Sequence, residues 1–206
     1  MPEKLKNPLL SPKFALALQF ANQIHGTQVR KGLGAPYISH LMAVSALVLE
    51  FGGNETQAIA ALLHDAAEDC GGRKMLETVR VMFGDEVAGI VEACTDSFAE
   101  SPEGKAEWRP RKETYLARLA DEPPEAKIVS CADKMHNLTN TLRDIQVEGV
   151  AAWKGRMASS KNGQAKKQLW YYTGCLDALS REWGGSMLIC FANAVGQLRD
   201  LVGEEK

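Results

Sequence analysis

The sequence is short of several things, and each shortage excludes a class of protein. The apolar run Met187 to Val195 is far too short to cross a bilayer, which takes about 20 residues of helix. Met1 to Leu10 carries charges but no apolar core ahead of a small-residue cleavage site, so no secretory signal is expected. The five cysteines, Cys70, Cys94, Cys131, Cys175 and Cys190, are odd in number, scattered, and contain no C-x-x-C pair. They are expected to be reduced thiols, mostly in the core of a soluble, cytoplasmic protein. A charge excess is missing too: the net charge is −2, and no basic aromatic stripe offers a surface to nucleic acid or membrane. The loop Gln28 to Tyr37 has glycines but lacks the Gly-Lys-Ser/Thr ending of a phosphate-binding P-loop. No alternating strand pattern, internal repeat or low-complexity stretch is present.

Helical signals fill the chain instead, and the expected fold is all-α, a compact multi-helix bundle. At 206 residues it is long enough to bury a proper core and is read as a single domain, 1–206. Its motif-bearing core spans about 11–145, and C-terminal helices over 149–202 complete the bundle. Ser11-Pro12 is an N-cap followed by proline at the first helical position, opening a helix to about Thr27. Ser39 is expected to cap a helix from His40 to Phe51. Asn54-x-x-Gln57 forms a capping box for a central helix from about Glu55 to Asp69. Further helices are expected at Met75–Phe83, Asp85–Cys94, Arg111–Leu119, Glu125–Arg143, Gly149–Met157, from about Asn162 past Leu179, and at Ser186–Leu201. Thr95 to Pro110 reads as a polar, ligand-facing loop ending in the basic segment Trp108 to Lys112.

The chemistry concentrates at Ala60-Ala61-Leu62-Leu63-His64-Asp65-Ala66-Ala67-Glu68-Asp69, where an apolar helix ends in four side chains able to bind metal or move protons. Residues four apart share a helical face, so His64 lies under Glu68 and Asp65 under Asp69. Imidazole with carboxylate suits Mn, Fe, Zn or Ni better than Ca or Mg; the plain alternative is a helix end whose acids are solvated. Two ligands do not hold such an ion, so partners must come from elsewhere. His40 sits in the first turn of its helix, where the dipole disfavours a cation and favours the neutral, ligating imidazole. Asp133 is a carboxylate midway along a mostly apolar helix, expensive to bury unless paired or metal-bound. His25, at the end of the first helix, reads as a hydrogen-bonded core residue, and His136 as a structural or supporting one.

These pieces resemble a known family. His40, His64-Asp65 with Glu68-Asp69, and Asp133 look like the H…HD…D signature of HD-domain metal phosphohydrolases. The words Arg30-Lys31-Gly32, Pro36-Tyr37-Ile38-Ser39-His40, Phe83-Gly84, Thr95-Asp96 and Ala132-Asp133-Lys134-x-x-Asn137-Leu138 are similar to the hydrolase domain of RelA/SpoT-type alarmone enzymes. With no room for the synthetase domain that follows it there, the chain resembles a stand-alone small alarmone hydrolase. The resemblance implies one divalent ion, commonly Mn2+, held by His40, His64, Asp65 and Asp133. It implies Glu68 and Asp69 as the catalytic acid pair. Arg30, Lys31 and Asn137 are implied as nucleotide contacts, with Lys134, Arg109, Lys112, Lys161 and Tyr171 as further phosphate or ribose contacts. The implied reaction removes the 3′-pyrophosphate from (p)ppGpp or (p)ppApp, leaving a nucleoside 5′-di- or triphosphate and pyrophosphate. The implied partner is this small nucleotide, with no nucleic acid or membrane and with room for an oligomer. Alternatives are an HD phosphohydrolase acting on other nucleotides, and a non-catalytic alarmone sensor.

Overall fold

A computed structural model describes residues 9–30, 34–99, 104, 107–158 and 165–202. Lys31 and Lys161, two of the expected substrate contacts, lie outside these residues. Among the described residues the regular elements are all helices, with one isolated antiparallel bridge between Val29 and Pro36. The fold is all-α, as expected. The chain forms two compact units, Met1–Lys105 and Ala106–Lys206.

In the N-terminal unit, α1 (Pro12–Ile24) begins where the sequence places it, with the Ser11 hydroxyl accepting the Lys13 N–H at 3.2 Å. It stops at Ile24, short of Thr27. The second helix, α2 (Ile38–Glu50), starts earlier than expected. Ser39 does not cap it: this residue is already in the first turn, where its hydroxyl donates to the Pro36 carbonyl at 2.7 Å. The N-cap position belongs to Tyr37, whose side chain makes no capping bond.

Helix α3 (Glu55–Leu63) opens with the expected reciprocal box. Asn54 accepts the Gln57 N–H at 3.0 Å and Gln57 accepts the Asn54 N–H at 2.8 Å. Every residue from Ala58 to Leu63 is buried, the mark of a helix surrounded by others; α1, α2 and α6 (Asp85–Cys94) pack around it. Two features tie α2 to α3. The buried Ser45 hydroxyl donates to the Ala58 carbonyl at 2.9 Å. At Gly53 a Cβ would lie 2.5 Å from Val48 Cγ1 and 2.8 Å from the Val48 carbonyl, so only glycine fits the turn between them.

The expected single helix over 55–69 is interrupted. It ends at Leu63, turns through His64 and Asp65, and resumes as α4 (Ala66–Cys70), followed by α5 (Gly72–Phe83). The alanines on both sides are strong helix formers, so propensity does not cause the break; it falls on the residues whose side chains converge.

The C-terminal unit holds α7 (Trp108–Asp121), α8 (Pro124–Glu148), α9 (Val150–Ala158), α10 (Ala165–Leu179) and α11 (Ser186–Val202). Helix α8 is its axis, packed by α9, α10 and α11. The start of α7 corrects the sequence reading: the helix opens at Trp108 rather than Arg111, so Arg109 lies in its first turn and not in a loop, with Lys112 in the helix as expected. Pro110 looked like a breaker, but proline is tolerated in a first turn because its missing N–H has no partner to lose. Lys127 is almost wholly buried, and its ammonium donates to the Ala120 carbonyl at 2.8 Å and the Arg181 carbonyl at 2.6 Å. It thereby satisfies carbonyls at the ends of α7 and just past α10.

Candidate active site

The turn between α3 and α4 presents His64 and Asp65 towards His40, which projects from the first turn of α2. His40 and His64 are 1% and 2% exposed, and their rings meet edge to face at 5.2 Å. Asp65 Oδ2 lies 3.0 Å from His64 Nε2 and 3.7 Å from His40 Nε2. The three residues each offer a ligand atom, and these atoms lie within 4.8 Å of one another.

The protonation pattern follows from the surroundings. His64 Nδ1 is 2.8 Å from the Ala61 carbonyl, which can only accept, so the ring proton sits there and Nε2 keeps its lone pair on the Asp65 side. A histidine whose second nitrogen donates to a carbonyl is the usual arrangement of a metal ligand. Two imidazoles and a carboxylate at this spacing fit a divalent transition metal.

Tyr37 was missed as a site residue, although it stands in the Pro-Tyr-Ile-Ser-His word. Its hydroxyl donates to Asp65 Oδ2 at 2.6 Å. A signal was available: an aromatic three residues ahead of His40 lies on the same side of a helix start. His25 is a core residue, as expected. It is buried, with Nδ1 2.6 Å from Gln28 Oε1 and its ring stacked on Tyr37 at 5.2 Å. Cys70 Sγ lies 3.6 Å from that imidazole. Burial, reinforced by Asp69 and Asp65, pushes its thiol up to about 11, so it is a neutral thiol outside the ligand group. Glu68 is half-buried and Asp69 exposed, both on α4 just beyond Asp65. Arg30 directly follows the bridge residue Val29, its N–H donating to the Ala35 carbonyl at 2.8 Å.

The remaining expected site residues belong to the C-terminal unit. Asp133 is buried on α8, and both its oxygens are engaged: Oδ1 accepts from Asn137 at 2.6 Å and Oδ2 from Lys134 at 2.5 Å. Burial works against the Lys134 ammonium, but Asp133 together with Tyr115, Tyr171 and Cys175 outweighs it and holds its pKa well above the ordinary value. Arg109 pairs with Glu113 at 2.7 Å and lies 3.4 Å over the Trp170 ring. Lys112 lies 4.8 Å over the ring of Tyr171, which is itself buried. Burial raises the Tyr171 phenol well above its ordinary value. His136 is contacted by Asn140, which donates to its carbonyl at 2.8 Å.

An all-helical chain that brings two buried imidazoles and a carboxylate to one point is a candidate metal centre. The HD domain family matches residues 17–154, and the chain belongs to that family. It is 35% identical over 135 residues to a probable GTP pyrophosphokinase of Mycobacterium leprae, a match to 66% of this chain but 16% of that protein's length. It is 34% identical over 146 residues to the guanosine-3′,5′-bis(diphosphate) 3′-pyrophosphohydrolase MESH1 of Drosophila melanogaster, covering 69% of this chain and 75% of that one. A solved metazoan ortholog of SpoT, described as hydrolysing ppGpp and playing a role in starvation responses, matches with a TM-score of 0.71. The identity there is 26%, over 94% of this chain and 98% of that one. No helix among the described residues is long and apolar enough to cross a membrane.

Proposed function

We propose that this protein is a divalent-metal hydrolase that removes the 3′-pyrophosphate from an alarmone nucleotide of the (p)ppGpp or (p)ppApp class. The products are the nucleoside 5′-di- or triphosphate and pyrophosphate. The observation that carries the reading is the convergence of His40, His64 and Asp65, with the His64 proton committed to Ala61. The similar pyrophosphohydrolase from Drosophila supplies the reaction class.

His40, His64 and Asp65 would hold the ion. Asp133 is the proposed fourth ligand, supported by its place in the family signature and by the burial of its carboxylate. Mn2+ is the proposed ion, supported by the mixed imidazole and carboxylate donors. When bound, such an ion supplies Lewis-acid chemistry, acidifying water and polarising a phosphoryl oxygen. The chain's own acids move the protons: Glu68 or Asp69 accepts one from the attacking water and returns one to the departing 3′-oxygen. Two acids this close beside an anionic substrate do not both ionise freely, so one is kept protonated for the return step. Arg30, Lys31, Lys134 and Asn137 are the proposed contacts to the nucleotide, and Arg109, Lys112, Lys161 and Tyr171 are proposed further contacts. Their support is the family resemblance of the surrounding words. Residues 1–206 are proposed to work as one cytoplasmic hydrolase domain.

The test is nucleotide chromatography of metal-stripped protein incubated with ppGpp, pppGpp, ppApp, dGTP and NADPH, with and without Mn2+. Mn-dependent release of pyrophosphate from a 3′-pyrophosphorylated nucleotide supports the reading and names the base. Tight binding without turnover makes the protein a sensor, and turnover of dGTP or NADPH alone overturns the substrate class.

A further inference from the structure

The hydrogen bond from Tyr37 to Asp65 does more than fill space, because its geometry is fixed from both ends. The Tyr37 N–H donates to the Gln28 carbonyl at 3.0 Å, and the Val29–Pro36 bridge closes the loop just ahead of it. The same Gln28 holds His25 through its side chain at 2.6 Å. The Tyr37 ring is stacked on His25 at 5.2 Å and meets His40 edge-on at 5.6 Å. The phenol is thus clamped between a core histidine and a candidate ligand, with its hydroxyl 2.6 Å from Asp65 Oδ2.

That oxygen is the one lying 3.0 Å from His64 Nε2 and 3.7 Å from His40 Nε2. A carboxylate on the short aspartate stem turns readily about its last torsion. Asp65 sits half-buried at the turn between α3 and α4, where the Tyr37 hydroxyl fixes one of its oxygens. We infer that Tyr37 is a positioning residue for the metal centre: its hydroxyl locks the Asp65 carboxylate so that one oxygen stays between the two imidazoles. This rests on the metal reading above. Its role is exerted through Asp65, whose carboxylate it holds.

Partners of this kind hold a ligand in its binding orientation, and their loss typically weakens metal affinity by about 10–100-fold. The experiment compares wild type and Tyr37→Phe, which removes the hydroxyl and keeps the clamped ring. Mn2+ affinity is measured by competition with a chelator, well below each protein's melting transition, so that it reports the folded chain. The melting temperature of the metal-free proteins is measured alongside. The expected result is an affinity lower by about 10–100-fold, nearly unchanged metal-free melting, and turnover that largely recovers at saturating Mn2+. Wild-type affinity in Tyr37→Phe overturns the inference, whether or not melting falls, and leaves the metal reading standing. A wild-type protein that takes up no divalent ion overturns the metal reading itself, and the role of Tyr37 with it.

Discussion

His64 Nδ1 and the carbonyl oxygen of Ala61 lie 2.8 Å apart, one turn from each other at the end of α3. The bond makes a carbonyl near the end of a buried helix part of the candidate metal centre, since the proton it anchors decides which ring nitrogen is available. Removing the neighbouring carboxylate tests the centre with little risk to the fold, because Asp65 is 20% exposed at its side chain. Asp65→Ala is expected to lose bound metal and turnover together while keeping the wild-type circular dichroism. Metal content by elemental analysis and pyrophosphate release check it; a fully loaded Asp65→Ala protein would remove Asp65 from the ligand set.

Glu68 stands just past the candidate ligands and outside their group. Glu68→Gln keeps size and polarity but cannot accept a proton. Turnover should fall by about 10²–10⁴-fold, the usual worth of a positioned acid or base, with metal content unchanged. Hydrolysis of ppGpp and ppApp at the wild-type rate would show that Glu68 has no part in the chemistry.

Gly53 lies in the turn between α2 and α3, where a side chain would press on Val48. In Gly53→Ala the new methyl meets the backbone of Val48 as well as its side chain, and backbone cannot swing away. Overpacking of this kind costs about 1–3 kcal/mol. Urea unfolding should show a lower midpoint with the slope unchanged, and an unshifted midpoint would mean that the turn relaxes at no cost.

Alkaline pH should destabilise the protein. Burial raises the thiol of Cys175 to about 11, as burial and two nearby carboxylates do for Cys70, against 9.0 for an ordinary thiol. Because the folded values lie above the unfolded ones, this stability is whole below pH 9.0 and is lost as pH rises through about 11. Thermal scans between pH 8 and pH 11 should show melting falling above roughly pH 9. Titration with a thiol reagent at pH 8 should find exposed Cys190 reacting ahead of the other four. A melting temperature flat to pH 11, or rapid labelling of Cys70, would contradict this.

Local chemistry made parts of this fold readable from sequence. The Asn54 box and the Ser11-Pro12 start follow from side chains that satisfy backbone groups within a few residues, and α6 from its glycine start and acidic first turn. The interruption at His64 and Asp65 was hidden because its cause is tertiary: the flanking alanines favour an unbroken helix. The start of α7 was hidden for the opposite reason, since polar residues and Pro110 look like a loop until the aromatic partners on α10 are in view. His40, His64 and Asp65 were legible as a pattern of types, and the structure brings them together. Tyr37 was visible only as an aromatic three residues ahead of His40; that its hydroxyl ends on the Asp65 carboxylate is a tertiary contact.

Lys127 carries a consequence for cellular chemistry. The residue is 3% exposed and its amine holds two carbonyls, those of Ala120 and Arg181, so an acetyltransferase cannot reach it in the folded protein. An acetyl group there would remove the charge and the donors that the two carbonyls need. Any acetyl-Lys127 found by peptide mass spectrometry should therefore come from chains modified before they folded, and be absent from the native pool.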